Sequence, residues 1–191
     1  MKLLKEPLNG DDIFVIRGFC TPKECREFTA LSEQAGYGDA PITTATGFEM
    51  RKDIRDNARV VLDDPELAAR LWKRAKPLLP GRVRDCKVIG FNERFRFYRY
   101  DPGQRFAPHF DGSFRRDNGE ESQLTFMIYL NDDFTGGETK FYCDDGALRL
   151  AVKPEQAMAL VFIHDHLHEG APVRLGCKYV LRTDVMYEGV E

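Results

Sequence analysis

Hydrophobic and polar positions change rhythm near residue 86. Before it, two stretches repeat at helical spacing. The first opens at Thr21, continues with Pro22 and Glu24, and closes at Gly36. These are the marks of a capped helix: a hydroxyl to accept from the first turn, a proline at the first helical position, a glutamate to close the capping box, and a glycine to end it. Cys25, Phe28, Leu31 and Ala35 are predicted to share its buried face. The second stretch starts at Asp64-Pro65 and runs towards Leu79, with Leu67, Leu71, Trp72, Ala75 and Leu78 on one stripe and Pro80-Gly81 as the stop. A short strand is predicted over 12–18.

From 86 onward the period falls to two. The segments CKVIGF, RFRFYRY, LTFMIYL, ETKFY, LRLAV, AMALVFI and KYVLRTDVMY read as strands, separated by turn formers such as Asp101-Pro102-Gly103 and Gly136-Gly137. Helices first and many strands afterwards predict a mainly β (α+β) protein, a β-sandwich or jelly roll with N-terminal helices packed on one side. No repeat, low-complexity run or flexible linker marks a boundary. The reading is therefore one domain over 1–191, with a β core at about 86–188 and helical support at about 1–85.

Composition narrows the class only a little. The 191 residues suit one domain, and 42% hydrophobic with 31% charged residues is ordinary for a globular protein. A net charge of -3 gives no reason to expect nucleic acid or an anionic membrane as partner. No apolar run approaches the roughly 18–20 residues that span a bilayer. The opening MKLLKEPLNGDD turns acidic before a signal-like stretch develops, so a cytoplasmic protein is expected. The five cysteines form no CxxC pair, which suits free thiols in a reducing compartment. The sequence is silent on oligomeric state.

Only four histidines are present, so their placement is informative. His109 and Asp111 are two apart and point to one side of a strand, where an imidazole and a carboxylate can grip one ion. Alone, such a pair is common. A third ligand on another strand would give two histidines and a carboxylate on one face of a metal, the arrangement of non-haem Fe(II) oxygenases. HDHLHEG offers His164, His166 and His168 at strand parity, of which only one can complete the set.

In this region the chain resembles the prolyl 4-hydroxylase-like branch of the Fe(II)/2-oxoglutarate-dependent dioxygenases. The resemblance is carried by YDPGQRFAPHFD (100–111), YLN (129–131), GGETKF (136–141) and HEGAPVRLGCK (168–178), in order and at similar spacing. It implies a double-stranded β-helix, with His109, Asp111 and His168 as metal ligands and catalytic centre. It implies Fe(II), 2-oxoglutarate and O2 as cofactors, with ascorbate an optional addition. The distal carboxylate of 2-oxoglutarate would meet Lys178, assisted by Tyr129 and Tyr100, because a buried carboxylate is costly unless paired and hydrogen-bonded. Arg182, four residues on along the same strand, is an alternative anchor, since arginine binds carboxylate through a planar fork. Both candidates stay open at this point. The GGET turn is assigned a structural role.

The reaction so implied couples decarboxylation of 2-oxoglutarate, giving succinate and CO2, to hydroxylation of an unactivated C–H. The expected substrate is a prolyl or other side chain in a peptide or protein, with a free amino acid or other small molecule as the alternative. The charged stretch 47–59 is read as a loop or edge strand near the mouth of the site, and Arg115 and Arg116 as bordering the entrance or as solvated surface. Two competing classes remain. A non-catalytic, cupin-type metal-binding barrel would need the triad but not Tyr129 and Lys178, and a zinc hydrolase would need a general base that the motifs do not supply.

Overall fold

A computed structural model of the chain describes residues 3–44 and 47–189; Met1 and Lys2, which open the stretch read above for an export signal, lie outside them. The first helix, α1 (Pro22–Ala35), begins as predicted. Thr21 Oγ1 accepts from the Glu24 amide at 3.1 Å, and the Glu24 carboxylate accepts from the Thr21 amide at 2.8 Å. Its buried face differs from the prediction: Cys25, Phe28 and Ser32 are inside, while Leu31 and Ala35 face solvent. Ser32 takes a core position because its needs are met locally. Its hydroxyl donates to the Thr29 carbonyl and accepts from the Tyr37 hydroxyl, each at 2.8 Å.

Helix α2 (Pro65–Ala75) is capped by the Asp64 side chain, which accepts from the Leu67 amide at 2.8 Å. It buries Leu67, Ala68, Leu71 and Ala75. The α-helix ends short of Leu79 because Pro77 has no N–H to donate, and the chain tightens into a 3-10 turn over Lys76–Leu78. Among the described residues no helix is long and apolar enough to cross a membrane.

The principal strands, in chain order, are β1 (Leu4–Asn9), β2 (Ile13–Arg17), β3 (Ala58–Asp63), β4 (Cys86–Phe91), β5 (Arg94–Tyr100), β6 (Phe106–His109), β7 (Glu121–Tyr129), β8 (Thr139–Tyr142), β9 (Leu148–Val152), β10 (Ala159–Ile163), β11 (His168–Gly170) and β12 (Lys178–Tyr187). They form two antiparallel sheets. The larger runs β1-β2-β10-β7-β12-β5-β3, with β4 also paired to β12; the smaller runs β6-β11-β8-β9. The two sheets are the halves of a double-stranded β-helix. The region before 86 is thus more than helical support, because β1, β2 and β3 extend the larger sheet. Pro7 in β1 is tolerated because β1 is an edge strand, free of a partner on one side.

Strand alternation sorts the larger sheet into two faces. Phe14, Ile16, Phe95, Phe97, Phe126, Leu181 and Val185 pack towards α1 and α2, together with Phe28 and Leu71. Ile13, Val15, Tyr98, Tyr100, Tyr129 and Val180 pack towards the smaller sheet with Phe141 and Phe162. Lys178, Arg182 and Asp184 share the parity of Val180, so β12 presents three charged groups to the space between the sheets.

Candidate active site

His109 ends β6 and His168 begins β11, and the two residues are paired directly across the smaller sheet. Their rings come within 4.3 Å centre to centre. Asp111 follows just past the strand end. One ligand atom from each residue lies within 4.8 Å of the others, the one such trio of metal-binding side chains among the described residues.

The imidazoles are oriented alike. His109 Nδ1 donates to the Ala107 carbonyl at 2.8 Å, and His168 Nδ1 donates to the His166 carbonyl at 2.9 Å. A carbonyl only accepts, so each Nδ1 carries the hydrogen and each Nε2 presents a lone pair to the site. Both Nε2 atoms stand 3.6 Å from the Asp111 carboxylate. Burial lowers the His168 pKa to about 4, which keeps its ring neutral. The His109 ring lies flat on Phe106 at 3.5 Å.

Asp111 is held from outside the trio. Thr125 donates to its Oδ2 at 2.5 Å and Arg182 to its Oδ1 at 2.8 Å. Burial works to raise its pKa, but Arg182 and the neighbouring imidazoles outweigh it and keep the carboxyl ionised well below the usual range. Two imidazole nitrogens and one carboxylate converging on a single point fit a divalent ion of the Fe(II) type with positions left open.

Behind the triad, one small cavity is lined by His109, Asp111 and His168 together with Tyr100, Thr139 and Lys178. Lys178 is buried and makes no ion pair with a described residue. Its ammonium donates to the Gly137 carbonyl at 2.6 Å and lies 5.2 Å and 5.4 Å from the ring centres of Tyr100 and Tyr129. Burial drags its pKa down to about 7, with Glu138 opposing. The Tyr129 hydroxyl is bonded to Thr139 Oγ1 at 2.7 Å, and burial pushes the pKa of both tyrosines up. A buried lysine without a counter-ion, set beside two tyrosine rings, fits the distal carboxylate of 2-oxoglutarate.

Arg182 stands at the other end of the site. It bonds Asp111 and, at 3.1 Å, Asp184. Four residues of strand, about 13 Å, separate it from Lys178. Gly137, which the sequence marked only as a turn former, also supplies the carbonyl that holds Lys178. Its neighbour Gly136 has φ +75°, and a Cβ there would fall 2.4 Å from the Pro172 carbonyl.

The three histidines of HDHLHEG do not share a strand, because the chain turns at 164–166 between β10 and β11. His164 is buried 3.9 Å from Asp184, and His166 reaches the site only through its carbonyl. Arg115 pairs with Glu121, and Arg116 with Glu93 and Glu120, outside the cavities that meet the triad. The charged stretch 47–59 does reach the mouth: Ile54, Arg55 and Arg59 line an outer lobe of about 480 Å³ that also takes in His109 and Asp111. Sequence reading did not single out Thr125, Tyr98, Arg96 or Asp184. Arg96 and Tyr98 were within reach, because they alternate in step with Tyr100 along RFRFYRY.

Comparison with known proteins places this geometry. Residues 95–183 match the family model of the 2OG-Fe(II) oxygenase superfamily. Prolyl 4-hydroxylase 1 of Arabidopsis thaliana is 25% identical over 167 residues, covering 78% of this chain and 56% of that protein. Residues 95–183 thus carry the pattern of the 2OG-Fe(II) oxygenases, in a chain similar to prolyl 4-hydroxylases over most of its length. A putative prolyl 4-hydroxylase of Acanthamoeba polyphaga mimivirus is 26% identical over 186 residues, 87% of this chain and 71% of that protein. The chain spans 56%, 66% and 65% of the length of three of the Arabidopsis relatives, less than two thirds of each. The double-stranded β-helix recurs in solved structures. A viral collagen prolyl hydroxylase from Paramecium Bursaria Chlorella virus-1, in complex with 2OG, superposes at TM-score 0.67 with 21% identity over 95% of this chain and 99% of that one. A Trichoplax adhaerens prolyl hydroxylase, in complex with a hypoxia inducible factor peptide fragment, superposes at 0.71 with 18% identity over 93% and 84%. For such a pattern the family implies Fe(II), 2-oxoglutarate and O2 as cofactors.

Proposed function

We propose that the chain hydroxylates an unactivated C–H, in a prolyl or other side chain of a peptide or protein, releasing succinate and CO2. The observation that carries this reading is the shared cavity, which joins a metal-ready triad to a buried, unpaired lysine. His109, Asp111 and His168 would hold Fe(II), which with 2-oxoglutarate and O2 supplies the oxidising chemistry. The carbonyls of Ala107 and His166 keep both Nε2 lone pairs aimed inward. Arg182 and Thr125 fix the Asp111 carboxylate. Lys178, Tyr100 and the Tyr129–Thr139 pair form the polar end that would receive the distal carboxylate of 2-oxoglutarate. Burial around Lys178 and His168 excludes water. The peptide substrate is supported by the names of the relatives and by the peptide bound to the Trichoplax neighbour.

The test is anaerobic titration of Fe(II) with and without 2-oxoglutarate, watching for the visible charge-transfer band of the chelate, followed by succinate formation in air. We expect the band in the parent protein, and its loss in His109→Ala, Asp111→Ala and His168→Ala with the fold retained. His166→Ala should keep it, since any residue supplies that carbonyl. Metal binding that survives His168→Ala but not His166→Ala would overturn the ligand assignment. Proline-containing peptides beside free amino acids, followed by a mass gain of one oxygen, then test the substrate class.

A further inference from the structure

The outer lobe is more basic than a neutral prolyl ring requires. Arg55, Arg59, Arg96 and Arg182 line it beside the metal triad. Two carboxylates answer them. Asp111 takes Arg182 at 2.8 Å, and Asp184 takes Arg182 at 3.1 Å and Arg96 at 2.9 Å. Arg55 and Arg59 pair with no carboxylate among the described residues, so two guanidinium charges are left over. Loading the site would not cancel them, because the 2+ of Fe(II) and the 2− of 2-oxoglutarate offset each other.

Arg55 is built in rather than draped over the surface. It is 5% exposed. Its Nε donates to Asn57 Oδ1 at 2.8 Å, and its guanidinium sits 4.6 Å and 4.5 Å from the ring centres of Tyr98 and Phe106. One terminal nitrogen is buried and donates to nothing. Phe106 is the ring that also stacks on His109, so this free donor lies one aromatic layer from a metal ligand. Arg59 is half-buried on β3, where it pairs with Gly38 of a short outer strand. Burial depresses its pKa, and the charges of Arg55 and Arg96 add to the effect while Tyr98 opposes it. A buried cation with an unused donor is costly until an anion arrives.

We propose that the substrate carries a carboxylate, bound by Arg55 and Arg59 in the outer lobe, close to the C–H that is oxidised. The proposal rests on the oxygenase reading and names the substrate class for it. A planar carboxylate suits the guanidinium fork. A phosphoryl group would favour a cradle of backbone amides at a helix start, and neither α1 nor α2 begins in this lobe. A lobe of about 480 Å³ holds an amino acid or a short peptide end. The carboxylate has two sources: the main-chain terminus of a free amino acid or peptide, or an acidic side chain beside the target residue.

The test uses matched probes that differ by one charge. One pair is N-acetylproline and N-acetylprolinamide; the other is an end-blocked peptide with aspartate or asparagine beside proline. Each is titrated into protein holding Zn(II) in place of iron together with 2-oxoglutarate. Arginine Nε–Hε resonances are followed by NMR, and affinity by calorimetry. We expect the charged member of at least one pair to bind about tenfold or more tighter, shifting the Arg55 and Arg59 resonances. Which pair discriminates identifies the source of the carboxylate. Arg59→Gln should erase most of that preference and Arg59→Lys only part of it. Arg59 is the deciding position because, unlike Arg55, it is not packed between rings. Equal binding within both pairs, or a preference that survives Arg59→Gln and Arg55→Gln, overturns the proposal. So does a rise in the 2-oxoglutarate requirement of these variants matching that of Lys178→Met, which would assign the arginines to the cosubstrate. Failure of the oxygenase reading looks different: no charge-transfer band forms, whatever the probes do.

Discussion

Lys178 is the residue whose chemistry depends most on what fills the cavity. With its pKa near 7 it is half neutral at neutral pH, and a carboxylate arriving beside it favours the charged form. The bound state therefore holds more protons than the free state above pH 7. Affinity for 2-oxoglutarate should be flat below about pH 7 and fall as pH rises beyond it, approaching tenfold per unit. Calorimetry between pH 6 and 9 checks this, and Lys178→Met should abolish the slope while raising the requirement more than about tenfold. Arg182→Ala should act elsewhere. It strands Asp111 as a buried charge and leaves Asp184 with Arg96 alone, so the loss should appear in stability and metal affinity before it appears in 2-oxoglutarate affinity.

At the scale of elements, the glycine turn and the helix caps give separable expectations. Gly136→Ala forces a Cβ into the Pro172 carbonyl at positive φ, and the shift passes to Gly137, the partner of Lys178. A loss of about 1–3 kcal/mol is expected, with a weaker grip on 2-oxoglutarate, read by urea unfolding and titration. Thr21→Ala removes only a cap and should cost about 1 kcal/mol without touching the site. What the sequence disclosed follows the same division. Caps, turns and alternating strands are local, so α1, the start of α2 and the strands after 86 could be read directly. The inward face of α1 could not, because Ser32 owes its place to Tyr37 and Thr29. The edge strand β1, with Lys5, Glu6 and Pro7 among its six residues, does not announce itself. His109, Asp111 and His168 were visible through their motifs, whereas Arg55 gains meaning only when folding sets it between Tyr98 and Phe106.

Over the whole molecule, the larger sheet joins a helix-backed core to the site. Phe126 fills that core, with Phe19 and Phe91 both 4.8 Å away centre to centre. Phe126→Ala should lower stability by about 3–5 kcal/mol, measured as a fall in the urea midpoint. Ligands act on the same equilibrium from the other side. Divalent metal at a hundredfold excess over its Kd should add about 2.7 kcal/mol, seen as a rise in Tm that vanishes in Asp111→Ala.

Strand β12 lies between β7 and β5, yet follows both in the sequence. Until it arrives, β7 and β5 each show a bare row of amides and carbonyls to whatever is near. Folding must therefore wait for an insertion into the middle of the sheet rather than an addition at its border. Pairings this distant along the chain are slow to form. The same ten residues bring Lys178, Arg182 and Asp184, so the step that closes the sheet also sets the charges of the site. A fragment ending before residue 178 should accordingly self-associate rather than persist as a weakened oxygenase.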